Sequence, residues 1–315
     1  VLSASWDAGA DTGGSGIRDY DVCFSSADTS CVPIAGTSME TGNTSRTATA
    51  TATGMSMLTP YYTCVRAWDN AASSAGWQCS DGFQVDQTAP TPPSSGDVFD
   101  LSVGVSDADW SNSTTALNAG WSAGSDAGSG IRDYDVCFST VDTGCTNIAG
   151  TFTQTGNTSR AATATASGMT QGITYFTCVR AWDEAGNASS WSCSDGFTID
   201  TAVPSNPSVA SIFDLNTSYA SDLDWNTSST ALSASWSPGI DLLSGIRDYD
   251  VCFSSAASTC TPIAGTSMQS ANTTRTATAT ATGMSDAVQY YTCVRTWDVA
   301  GNTPGWTCSD GFVVD

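Results

Sequence analysis

Aspartate and cysteine are the residue types in this chain whose placement can do chemistry. Asp11, Asp126 and Asp241 each stand in a loop before a recurring Ser-Gly-Ile, and Asp69, Asp183 and Asp298 each end a later strand-like run. If those two loops share one end of a folded unit, each pair offers hard oxygen ligands to calcium, which takes about six to eight of them. No EF-hand or nonapeptide calcium motif accompanies the pairs, and Asp in such loops also closes Asx-turns, so both readings stay open. Calcium is the one cofactor the sequence suggests, and nothing in it requires a cofactor.

The twelve cysteines fall into three sets, Cys23, Cys31, Cys64, Cys79, then Cys137, Cys145, Cys178, Cys193, then Cys252, Cys260, Cys293, Cys308, with gaps of 8, 33 and 15 residues in each. Four cysteines allow three connectivities. The short gaps suit hairpins, so first is expected to pair with second and third with fourth. The spacing does not match CxxC zinc knuckles, and even sets point to an oxidising compartment.

Absences narrow the chemistry further. The chain has no His, and all nine basic residues are Arg. A Ser-His-Asp triad, a His-ligated metal and Schiff-base chemistry are therefore excluded from it. A formal charge of −22 with 31 acidic residues repels nucleic acid and anionic membrane surfaces. No apolar run is long enough for a helical membrane span. The acidity also suits a surface kept hydrated in salty water.

The cysteine ladder belongs to a larger repeat. SGIRDYDVCF occurs at Ser15–Phe24, Ser129–Phe138 and Ser244–Phe253, offset by 114 and then 115 residues. That period means a tandem array of whole domains, expected at 1–89, 90–203 and 204–315. VLSASW at Val1–Trp6 matches segments well inside the other repeats, so the first repeat is expected to lack an opening segment of roughly 25 residues and the chain reads as an excerpt. Short apolar-alternating runs between Gly, Pro, Asn, Asp and Ser clusters predict a β-sandwich in each repeat. An edge segment is expected near Asp97–Leu101, after the proline-rich joint Thr88–Pro93. RTATATATGM at Arg46–Met55 and Arg275–Met284 puts Ala methyls on one face and Thr hydroxyls on the other. The Ala face fits a close sheet-to-sheet approach, and the Thr face reads as solvated or, alternatively, O-glycosylated.

In Tyr61–Asp69 (YYTCVRAWD), Tyr61, Thr63, Val65 and Ala67 are expected inward, with Tyr62, Cys64, Arg66 and Trp68 outward. A Cys64–Cys79 bridge would then set Arg66 against Trp68 and Trp77 in a cation–π stack. The same trio recurs at Arg180, Trp182, Trp191 and at Arg295, Trp297, Trp306. It reads as a stabilising ladder, with a ligand platform as the alternative. Asn-x-Ser/Thr at Asn43, Asn112, Asn157, Asn187, Asn216, Asn226 and Asn272 makes these seven residues glycosylation candidates.

DADW at Asp107–Trp110, the Leu-x-Ala-x-Trp strand, SGI-x-x-Tyr, TCVRAWD, AGN at Ala185–Asn187 and SDG before the closing strand come in one order. That order resembles the fibronectin type III repeats of large bacterial surface and secreted proteins, across all three repeats. The resemblance implies an all-β, seven-stranded, Ig-like sandwich, a spacer or adhesive role, and no enzyme activity. Two departures stand out: the paired cysteines are additional, and the first repeat has NAAS at Asn70–Ser73 in place of AGN.

The leading expectation is an extracellular or cell-surface structural protein, a stalk, filament or fibre of disulfide-stapled sandwiches. Its expected partners are neighbouring repeats or further copies of itself, including by strand donation. The alternative is a calcium-dependent adhesin or a module that binds surface glycans. A pair of Asp carboxylates can hydrolyse glycosides, but no single repeat carries a unique constellation, which argues against an enzyme.

Overall fold

The computed structural model describes residues 1–100, 107–215 and 221–315. The strands of the third repeat show the architecture. Ile212–Leu215, Ala231–Trp236 and Thr276–Thr280 form one three-stranded sheet, with Ala231–Trp236 in the centre. The second sheet runs Trp225–Asn226, Phe312–Val314, Gln289–Asp298, Ile246–Ser254, Gln269–Asn272, with Thr307–Cys308 also on Gln289–Asp298. Every pairing is antiparallel except Trp225–Asn226 against Phe312–Val314, which is parallel. This is the strand order of a fibronectin type III-like sandwich. The second repeat repeats it from Val98–Asp100 to Phe197–Ile199. The first repeat has Leu2–Ser5 on Thr47–Ala50, facing the sheet of Glu40–Asn43, Ile17–Ser25 and Pro60–Asp69. Asp97–Asp100 of the expected edge segment is seen, and Leu101 lies outside the described residues.

The patterning that predicted the faces is borne out. Ala48, Ala162 and Ala277 are buried while Thr47, Thr49, Thr276 and Thr278 face water, so the Thr/Ala runs turn methyls inward. In the third repeat Trp236, Tyr249, Val251, Phe253, Val294 and Phe312 fill the space between the sheets. Trp236 meets Tyr249 edge-on at 5.7 Å, and Trp6–Tyr20 and Trp121–Tyr134 do the same at 5.8 Å. Tyr61, Tyr175 and Tyr290 each accept a hydrogen bond from a backbone N–H five residues upstream, pinning the turn that enters their strand.

All six disulfides join first to second and third to fourth cysteine within a repeat. Cys293 lies directly opposite both Cys252 and Cys308 in the ladder, so the two bridges stand side by side. With Cys260, Tyr291 and Trp306 they form a second small core on the outer face of the sheet. The Cys252–Cys260 hairpin is closed by Ser254, fully buried, whose single hydroxyl proton is shared between Thr259 O and Ala256 O and whose oxygen accepts from Ala256 N and Thr261 N. These contacts hold the hairpin in the shape the bridge needs.

The described chain divides into two compact units. One contains Val1–Thr91 with Gly124–Arg132 and Ala181–Ser189, and the other contains Pro92–Ala123, Asp133–Arg180 and Ser190–Asp315.

Candidate functional site

The loop pairs expected at one end of each sandwich do meet in the second and third repeats, and a third carboxylate joins them. Asp86, Asp126 and Asp183 bring one oxygen each to within 4.8 Å of one another, and Asp200, Asp241 and Asp298 do the same. Asp86 and Asp200 close the last strand region of the repeat before, so each cluster sits where one repeat follows another. Three like charges at that spacing repel one another. The backbone offsets part of that. Asp241 Oδ2 accepts from Leu243 N and Gly245 N, Asp200 from Ala202 N and Ser244 N, and Asp298 from Asn302 N. Asp86, bonded by the N–H of Thr88 and by Ser129, is held below the usual carboxylate range. In the first cluster Asp126 Oδ1 is buried with no hydrogen-bond partner.

The Asn of AGN explains itself here. Asn302 Nδ2 donates to Asp298 Oδ2 and to the backbone carbonyl of Asp200, both at 2.8 Å. Asn187 bonds Asp183 Oδ2 at 2.8 Å and Asp86 O at 3.1 Å in the same way. The joints are tied as well: Thr91 and Ser125 exchange backbone bonds at 2.8 and 3.0 Å, and Ser205 and Ile240 at 2.8 and 3.3 Å. In the first repeat Asp11 receives Gly16 N and Asp69 receives Ser73 N, and neither belongs to a carboxylate trio among the described residues. Ser73 there replaces the latch Asn.

Sequence reasoning missed a second pair of trios. Asp100, Asp107 and Asp195 cluster, as do Asp214, Asp222 and Asp310, again with oxygens within 4.8 Å. They come from the first strand, the nearby Asp-x-Asp-Trp segment and the Ser-Asp-Gly turn, which lies 88 positions beyond that segment. The only signal was the recurrence of all three motifs together in these two repeats. Burial, opposed by bonds from neighbouring hydroxyls, pushes Asp100 and Asp214 up to about 6. Burial, with the adjacent Asp195 carboxyl, also raises Asp107.

A consequence follows for pH. Between about pH 4 and 6 the folded chain holds protons on Asp100 and Asp214 that the unfolded chain has released, so stability without divalent cations falls as pH rises through that window. The loss is about 3 kcal/mol per group. Calorimetric melting of the chain in chelator across that range is expected to show the decline, and Asp214→Asn to flatten the part due to the third repeat.

The Arg–Trp stacks are present and have a floor that was not foreseen. Arg66 lies 5.2 Å from the Trp68 ring centre and 4.7 Å from that of Trp77; Arg295 lies 5.4 Å from Trp297 and 4.8 Å from Trp306. Beneath Arg295, the buried Asp250 accepts from its Nε and Nη2 and from Trp297 Nε1, each at 2.8 Å. Asp21 takes the same three donors from Arg66 and Trp68. Asp21 and Asp250 stand on the outer face of their strands, yet each is only 3% exposed because the stack covers it.

The Asn-x-Ser/Thr amides serve backbone turns. Asn43, Asn157 and Asn272 donate to the carbonyl four residues on and accept from the N–H three residues on. Asn226 is buried, Asn187 is the latch, Asn112 donates to Gly301 O, and Asn216 lies outside the described residues. A cleft of about 450 Å³ in the first repeat is lined by Trp6, Tyr20, Thr63 and Ser80. Thr177 and Thr292, the counterparts of Thr63, bond the first-strand carboxylates of Asp100 and Asp214, so the cleft corresponds to a strand seat.

No family model matches the chain. It is 32% identical over 275 residues to Exoglucanase B of Cellulomonas fimi, covering 82% of this chain and 20% of that protein, so it spans about a fifth of the relative's length. Among solved structures, it is similar to the fibronectin(III)-like modules of Clostridium thermocellum CbhA, at 10% identity over 69% of this chain and 94% of that one, with a TM-score of 0.36. Drosophila N-cadherin EC1-4 gives 12% identity over 95% of this chain and 68% of that one, with a TM-score of 0.21.

Proposed function

We propose that the chain is a stiff extracellular spacer, a run of three domains at about 1–89, 90–203 and 204–315 that builds a stalk, filament or surface fibre. One observation carries this reading. The same latch recurs wherever one repeat follows another: an Asn side chain on the preceding Asp carbonyl, and a Ser N–H on that Asp's carboxylate. Bonds spent on orienting a neighbour suit a part that must keep its direction, as do short proline-containing joints. The lack of His and Lys and the matching residue sets of the second and third repeats support a role without catalysis. That the similar protein is an exoglucanase, matched over a fifth of its length, fits a non-catalytic module within a longer secreted protein.

Calcium at the junctions deepens the reading. It would neutralise Asp86, Asp126 and Asp183, and likewise Asp200, Asp241 and Asp298, and stiffen the joint, while Asp11 and Asp69 would take part only beside a further carboxylate. Partners are then neighbouring repeats and further copies of the chain. Immunogold labelling of native cells or culture medium tests the role. Label spaced along extended fibres or stalks is expected. Label confined to tips would favour the calcium-dependent or glycan-binding adhesin.

A further inference from the structure

We propose that Asp214, Asp222 and Asp310 bind a calcium ion inside the third repeat, and that Asp100, Asp107 and Asp195 bind another inside the second. The proposal is independent of calcium at the junctions, which involves none of these six residues. Its foundation is one buried oxygen. Asp214 is 2% exposed; its Oδ1 accepts the Thr292 hydroxyl, while Oδ2 is buried and makes no hydrogen bond of ordinary geometry, with the Ser309 hydroxyl nearby. That oxygen belongs to a carboxylate packed against two others, whose ligand atoms lie within 4.8 Å.

The surroundings fix the three carboxylates in place. The backbone N–H of Asp214 donates to Asp222 Oδ1 at 2.8 Å, and Leu223 N donates back to Asp214 O at 3.0 Å. Asp310 sits in a turn whose next residue, Gly311, has φ of 87°, where an added Cβ would stand 2.7 Å from Tyr290 O. In the second repeat Asp100 is fully buried, accepts Thr177 Oγ1 at 2.6 Å and Gly196 N at 3.1 Å, and donates its N–H to Asp107 Oδ1 at 2.6 Å.

Each trio thus has one buried carboxylate held from below and two exposed ones at the rim. All donors are hard oxygens, and the open side leaves room for water. Calcium tolerates such an irregular shell, whereas magnesium demands a near-octahedral one. An ion there would join the first strand, the segment ahead of the parallel pair and the turn into the last strand. Those are the segments that open and close the sandwich.

Calorimetric titration of the whole chain with calcium chloride tests this, using rim residues whose replacement leaves the core intact. The parent is expected to bind at least two ions. D107N/D195N/D222N/D310N should lose two of them, or bind them at least tenfold more weakly. D126N/D241N, impaired only at the junctions, should still take up those two ions, whether or not the junctions themselves bind calcium. An unchanged titration of the fourfold rim variant, or no calcium uptake by D126N/D241N, overturns the proposal.

Discussion

Replacing Cys252, Cys260, Cys293 and Cys308 with alanine is expected to leave the third repeat unfolded at 37 °C. The two bridges close loops of 8 and 15 residues. Chain-entropy estimates give about 2.5 and 3 kcal/mol for such loops. A domain of this size is stable by only about 5–15 kcal/mol, and the small cysteine core under Tyr291 and Trp306 is lost as well. Differential scanning calorimetry of the whole chain should lose the heat of one domain and keep that of the others. A complete set of transitions would show that the sandwich stands without its staples.

The second large effect is expected at Asp250. Asp250→Ala leaves Arg295 Nε and Nη2 and Trp297 Nε1 without their shared acceptor. Removing one partner of a buried pair costs about 3–5 kcal/mol. Arg295, with a side chain 27% exposed, can turn partly toward water, so the lower end, about 3 kcal/mol, is expected. In a domain of this size that lowers Tm by more than about 10 °C. Asp250→Asn keeps one acceptor and should cost about half as much. Equal melting of parent and Asp250→Ala would make the stack ornamental.

The sandwich and its staples were legible because they are written at short range. Period-two alternation placed Tyr61 and Val65 inward, where they join the first repeat's core, and gaps of 8 and 15 residues suited hairpins. The junction pairs were legible in part. Asp126 with Asp183 and Asp241 with Asp298 follow from one topology, whereas Asp86 and Asp200 belong to the preceding repeat, and no motif of a single repeat points to them. The trio of Asp214, Asp222 and Asp310 joins segments up to 96 positions apart and needed the three-dimensional register. Asp250 was hidden for another reason. Alternation assigns a face, but it does not show that Arg295 and Trp297 roof that face over.

The stiffness of the junctions is best tested by small-angle X-ray scattering of the whole chain, compared with N187A/N302A. Both replacements remove the amide that ties the preceding Asp carbonyl to the next repeat. The parent is expected to scatter as one stiff particle, and the double variant as domains on loose joints with a broader range of dimensions. Indistinguishable profiles, or a parent that already scatters as independent beads, would contradict the stiff spacer.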